Sequence, residues 1–106
     1  NYYRTARAWH PRADNYYLRR SQATKMAFSA IENIYLLTQP VLLVVGGKAD
    51  SDWQTERFYK ALPGKDKEVF VIDKASHIDL YDRHDYVEQA VKKLNEFFKR
   101  TLSAVQ

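Results

Sequence analysis

The chain has 106 residues, with 17 Lys+Arg against 13 Asp+Glu for a net charge of +4 and 45% hydrophobic residues; this allows one packed domain and excludes wholesale disorder. Three Gly, three Pro and no Cys exclude collagen-like and linker-like chains, disulfide scaffolds, thiolate zinc sites and cysteine nucleophiles. No apolar run approaches the roughly 20 residues of a membrane-spanning helix, and the opening Asn1-Tyr2-Tyr3-Arg4 is no signal peptide, so a cytoplasmic protein without a membrane partner is expected.

The first 20 residues are aromatic and basic: Arg4, Arg7, Arg12, Arg19 and Arg20 stand among Tyr2, Tyr3, Trp9, Tyr16 and Tyr17. A nucleic-acid footprint is a denser basic stripe, so no nucleic-acid partner is expected and the segment reads as a loop and helix edge laid against a larger body. The opening Asn1 in place of Met is expected of a processed or excised piece. From Ser21, a fair N-cap, the apolar or small residues Ala23, Met26, Ala27, Ala30, Ile31, Ile34 and Tyr35 recur at helical spacing. Pro40 ends that predicted helix, because the residue before a proline is driven out of the helical region.

Val41-Leu42-Leu43-Val44-Val45 is apolar without alternation and stops at Gly46-Gly47, the pattern of a parallel strand covered on both faces. A helix is predicted from about Asp52 to Leu62, with Trp53, Phe58, Tyr59 and Leu62 as its apolar contacts and Pro63-Gly64 as its stop. Val69-Phe70-Val71-Ile72 follows as a second buried strand, after the charged turn Lys65-Asp66-Lys67-Glu68. Strand, helix and strand make a βαβ unit. The last helix carries Val87, Ala90, Val91, Leu94, Phe97, Phe98 and Leu102 on one stripe, with Asp82 or Asp85 as cap and Asp85-x-x-Glu88 spaced as a capping box. Phe97, Phe98 and Leu102 read as core.

Two strands that each need cover on both faces do not make a finished sheet. Exposing half of their nine large apolar side chains would forfeit on the order of 10 kcal/mol, as much as a whole domain's net stability. The chain is therefore expected to be the C-terminal part of a larger α/β protein, with the missing strands supplied from elsewhere or by self-association through the open edge.

In open parallel sheets, ligands bind beyond the carboxyl ends of the strands. The first strand runs into Gly47-Lys48-Ala49-Asp50-Ser51-Asp52 and the second into Asp73-Lys74-Ala75-Ser76-His77-Ile78-Asp79. Adjacent parallel strands would bring Asp50 and His77 to one edge, and a carboxylate beside an imidazole is the orienting half of a nucleophilic triad. The blander alternatives are an Asp that caps the next helix, as Asp52 or Ser51 can, and a His that is merely exposed. Tyr81 is near enough to His77 to line a substrate pocket. His77, Asp79, Asp82 and His84 have metal-ligand chemistry but lack a helical His pair or a second cluster, and Gly46-Gly47 has too few glycines for a phosphate loop; no metal or cofactor is expected.

Gly47-Lys48-Ala49-Asp50 after a Pro-initiated strand, Ala75-Ser76-His77 after the next, Ile78-Asp79-Leu80-Tyr81-Asp82 and Tyr86-Val87-Glu88-Gln89-Ala90-Val91 resemble the C-terminal third of an α/β-hydrolase. Tyr2-Tyr3-Arg4-Thr5, His10-Pro11 and Thr38-Gln39-Pro40 are similar to the dienelactone-hydrolase-like and uncharacterised bacterial subgroup of that family. The resemblance implies a single α/β-hydrolase domain over 1–106, with a cap or edge loop and helix in 1–38 and the βαβ unit plus final helix in 39–106. It implies Asp50 as the acid, His77 as the base and Asp52 as fallback acid, in a cofactor-free hydrolase of small carboxylic esters or related acyl compounds. The chain departs from the family in two respects: none of Ser21, Ser29, Ser51, Ser76 and Ser103 lies in a G-x-S-x-G elbow, and the oxyanion loop, normally earlier in the fold, is missing too. It is thus expected to be inactive until an N-terminal part or companion chain completes it. The reading from another class is a non-catalytic α/β module that pairs its sheet edge with a partner.

Overall fold

Val41, Leu42, Leu43, Val44 and Val45 extend as expected. In the computed structural model, which describes residues 2–14, 16–50 and 52–103, they form strand β1, Val41–Gly46. Strand β2, Lys67–Ile72, lies parallel beside it, in a register that pairs Val41 with Lys67 and Gly46 with Ile72. Before them come a helix α1, Ser21–Ala27, and 3-10 turns at Tyr2–Arg4 and Ile34–Leu36. Helix α2, Asp52–Ala61, joins the strands, and the short α3, Asp79–Asp82, leads into the long α4, His84–Leu102. The architecture is α/β, with a two-stranded parallel sheet among the described residues.

The chain divides into two compact units, Asn1–Glu32 and Asn33–Gln106. In the first, Arg7 stacks over Tyr2 at 5.1 Å, Lys25 over Tyr17 at 4.3 Å, and the Tyr17 hydroxyl donates to Gln22 Oε1 at 2.9 Å. Its six basic residues, Arg4, Arg7, Arg12, Arg19, Arg20 and Lys25, face two acidic ones, Asp14 and Glu32. It therefore carries the whole +4, and the second unit, with eleven of each sign, is neutral.

The helix predicted from Ser21 to Pro40 is instead a seven-residue segment that stops where Phe28 turns extended (φ −79°, ψ 131°). Short helices hold mainly through packing of an apolar face, and Met26 (78% exposed) and Phe28 (77%) have none. Beyond the stop, the Ser29 hydroxyl accepts from the Ile31 N–H at 3.3 Å, a local bond that competes with helix. Ser21 is not the cap either: Arg20 holds that position and makes no side-chain cap bond.

In the second unit the two helices take opposite faces of the sheet. Lys67 Nζ donates to the carbonyls of Tyr59 (3.0 Å) and Leu62 (2.8 Å), satisfying the free C-terminal end of α2. Its neighbour Glu68 accepts from Lys93 (2.6 Å) and Arg100 (2.7 Å) on α4, and successive strand residues point to opposite faces. Arg100 also grips Asp66 with two nitrogens, at 2.9 and 3.0 Å. Hydrogen bonds from Arg100 hold the Asp66 carboxyl below the usual range, and Lys93, then Arg100, do the same for Glu68. The supposed charged turn thus supplies the first two residues of β2.

The core gathers Ile34, Val45, Ala49, Leu62, Ile72, Ala75 and Phe97. Full cover of both sheet faces is not observed: Val69 and Val71, on the α2 face, are 39% and 55% exposed because α2 packs over β1. Trp53 is exposed rather than a sheet contact. On α4, Phe97 is buried but Phe98 and Leu102, expected in the core, are exposed; Val91, Phe98 and Leu102 form a second apolar stripe turned away from the strands. Neither expected cap, Asp82 or Asp85, holds the N-cap position of α4. Asp82 ends α3, Arg83 precedes α4 without a side-chain cap bond, and Glu88 lies 3.6 Å from His84 in place of the capping box. No helix among the described residues is long and apolar enough to cross a membrane.

Candidate functional site

Because Gly46 and Ile72 are register partners, the loops after β1 and β2 leave the sheet side by side. They are stitched together: the Gly47 N–H donates to the Ile72 carbonyl and the Lys48 N–H to the Ala75 carbonyl, each at 2.9 Å. Gly46 lets them approach. A Cβ at that position would fall on the Ala75 carbonyl group, 2.9 Å from its carbon and 3.1 Å from the Ser76 oxygen. Each loop is folded back on its own strand end, since Ala49 N–H donates to Gly46 O (2.9 Å) and Ala75 N–H to Ile72 O (3.3 Å). Lys74 takes a left-handed conformation (φ 62°) to make the second turn, and its N–H bonds Asp73 Oδ1 at 2.9 Å. Fully buried Ala75 anchors this loop below its exposed tip.

Asp50 and His77 accordingly line one open cleft of about 630 Å³, with Lys48, Gln54, Ser76 and Ile78. Both side chains are exposed, and no hydrogen bond or ion pair joins them. His77 Nε2 instead lies 2.7 Å from the Tyr81 hydroxyl, and the rings meet edge to face at 5.2 Å. Tyr81 and His77 border a second cleft of about 270 Å³, with Val44, Val45, Gly46, Gln54, Thr55 and Leu80. His77 and Gln54 stand between the two clefts, Asp50 lines only the first and Tyr81 only the second.

The fallback acid is placed elsewhere. Asp52 opens α2, accepts the Trp53 N–H at 2.6 Å and lines a groove on the Val69 and Val71 side of the sheet. Ser51, the other possible cap, lies outside the described residues. Sequence reasoning missed two features. Gln54, in the first turn of α2, is the α2 side chain that reaches the cleft, and no signal in the sequence marked it. Ser76 and Asp79 bond reciprocally: the Asp79 carboxylate accepts the Ser76 hydroxyl (2.6 Å) and N–H (3.1 Å), and the Ser76 oxygen accepts the Asp79 N–H at 3.3 Å. The Ser-x-x-Asp spacing is itself a capping-box signature, which steadies the turn that carries His77. Among the described residues, no group of three or more His, Asp or Glu side chains is arranged to hold a metal ion.

Chemically, the arrangement offers an imidazole, a carboxylate, an ammonium group at Lys48 and an amide at Gln54 on one rim. That suits proton transfer near a developing charge. The unit bearing it carries eleven charges of each sign.

No protein-family model matches the chain. It is 37% identical over 103 residues to the uncharacterised protein YcjY of Escherichia coli (strain K12), a match that covers 95% of this chain and 33% of that protein. It is 36% identical over 94 residues to the uncharacterised protein PA2218 of Pseudomonas aeruginosa, covering 82% of this chain and 24% of that one. The crystal structure of hypothetical protein PA2218 superposes with a TM-score of 0.82 at 32% identity, over 94% of this chain and 32% of the other. The chain thus spans a third or less of the length of these relatives.

Proposed function

We propose that this chain supplies the acid and the base of a Ser-His-Asp triad to a serine hydrolase of the α/β-hydrolase fold that acts on carboxylic esters or related acyl compounds. One observation carries the reading: two loops from register-paired ends of parallel strands are stitched by backbone hydrogen bonds so that Asp50 and His77 border the same cleft. In this mechanism His77 accepts the proton of a serine hydroxyl as its oxygen attacks the ester carbonyl. Asp50 orients the ring and stabilises the imidazolium. The same proton then passes to the departing alkoxide, and water repeats the sequence on the acyl-enzyme. The serine and the oxyanion donors are assigned to further chain outside residues 1–106, as are the strands that complete the sheet. The relatives' greater length is consistent with that assignment.

The test is ester turnover by the complete protein. His77→Ala is expected to lower kcat about 10³-fold or more and Asp50→Asn by a comparable factor, whereas Asp52→Asn should leave it near wild type. Wild-type rates in His77→Ala overturn the reading. A second reading, a non-catalytic α/β module that docks a partner, is favoured by the exposed apolar residues Val69, Val71, Phe98 and Leu102. The two separate on the adjoining coding sequence: a strand leading into G-x-S-x-G upholds the hydrolase, and its absence favours the module.

A further inference from the structure

A neutral imidazole carries one N–H and one lone pair, and its neighbours decide which nitrogen holds which. In a triad the proton must sit on Nδ1, facing the acid, so that the Nε2 lone pair is open to the nucleophile. A free histidine side chain favours the opposite, Nε2–H form. In this structure Asp50 makes no bond to His77 that would reverse that preference, whereas the Tyr81 hydroxyl stands 2.7 Å from Nε2.

We propose that Tyr81 is a positioning residue: its phenol donates to His77 Nε2 and selects the Nδ1–H tautomer in the resting protein. The assignment rests on the catalytic reading above. Three observations carry it. The ring of a phenol draws in the oxygen lone pair, so a tyrosine hydroxyl is a better donor and a poorer acceptor than an alkyl hydroxyl, and donation to the ring lone pair is the stronger direction for the 2.7 Å contact. The edge-to-face packing at 5.2 Å and 76° holds the imidazole against the tyrosine ring, fixing orientation together with tautomer. Tyr81 approaches from the cleft that Asp50 does not line, so the two residues bracket the imidazole. On substrate binding a serine hydroxyl takes the phenol's place at that lone pair, swapping one O–H donor for another. Tyr81 therefore acts on the base, a role beyond the pocket lining expected from the sequence.

The experiment is a ¹⁵N–¹H correlation spectrum of the imidazoles in the complete protein, at a pH of about 8.5, for wild type and Tyr81→Phe. His10 and His84 serve as internal references. Wild type is expected to show His77 mainly as Nδ1–H. Tyr81→Phe, which keeps the ring of a half-exposed residue and removes only the hydroxyl, is expected to move the tautomer ratio about fivefold toward Nε2–H, the worth of one hydrogen bond. A dominant Nε2–H form in wild type overturns the proposal, as does an unchanged ratio in the variant. In ester turnover, the same variant should lose about fivefold in kcat with KM unchanged; a raised KM with unchanged kcat overturns the positioning role in favour of substrate contact. A tautomer change in a protein that turns over no ester upholds the Tyr81 bond and overturns the catalytic reading.

Discussion

Replacing Gly46 with Ala tests the stitched loops more directly than any change at their tips. The added Cβ would stand 2.9 Å from the Ala75 carbonyl carbon and 3.1 Å from the Ser76 oxygen, and both obstacles are backbone. A flexible side chain could swing away, but here the turn carrying His77 must retreat by several tenths of an ångström. That turn is tied to Lys48 N–H and anchored by fully buried Ala75, so the strain resembles overpacking of a core, about 1–3 kcal/mol. Each kcal/mol lowers Tm by about 4–8 °C in a domain of this size. Gly47→Ala and Gly64→Ala are the controls. Their nearest neighbours stand at 3.5 Å and 3.7 Å, ordinary contact, and no described glycine has a positive φ. Both should hold wild-type stability or gain about 0.4–1 kcal/mol through a less flexible unfolded chain. Thermal denaturation followed by circular dichroism reads all three. In the active protein Gly46→Ala should also lower ester turnover by about 10- to 100-fold, because an ångström of misplacement at a catalytic group is costly. Equal melting of Gly46→Ala and wild type, or an equal loss in Gly47→Ala, refutes the close-approach argument.

Two further predictions concern what holds the second unit together. Phe97→Ala should cost about 3–5 kcal/mol as a buried aromatic, and Phe98→Ala, half exposed, should cost far less; chemical denaturation of the pair checks this, and equal losses would contradict the assigned face of α4. Asp66 and Glu68 are held below their ordinary pKa values by Arg100 and Lys93, so between the folded and unfolded values the unfolded chain binds more protons. Their stabilisation is complete above about pH 4.5 and lost as pH falls through the lowered values. Arg100→Gln should flatten the acid limb of a Tm-versus-pH curve, and an unchanged slope would show that the exposed pairs contribute nothing.

The apolar, β-branched run at Val41–Val45 and the Pro63-Gly64 stop were enough to place β1 and α2, because strand burial and chain punctuation are local properties. The parallel βαβ order, and with it the meeting of the Asp50 and His77 loops at one edge, also followed from residue pattern and chain connectivity. The apolar spacing from Ala23 to Tyr35 did not decide its own outcome. Periodicity marks which side of a helix is apolar, and the helix persists only where something covers that side. The same distinction separates Phe97 from Phe98 and Leu62 from Trp53. Nor could spacing tell which neighbour takes His77. Asp50 and Tyr81 both border clefts that His77 lines, and the folded chain gives the hydrogen bond at 2.7 Å to the phenol.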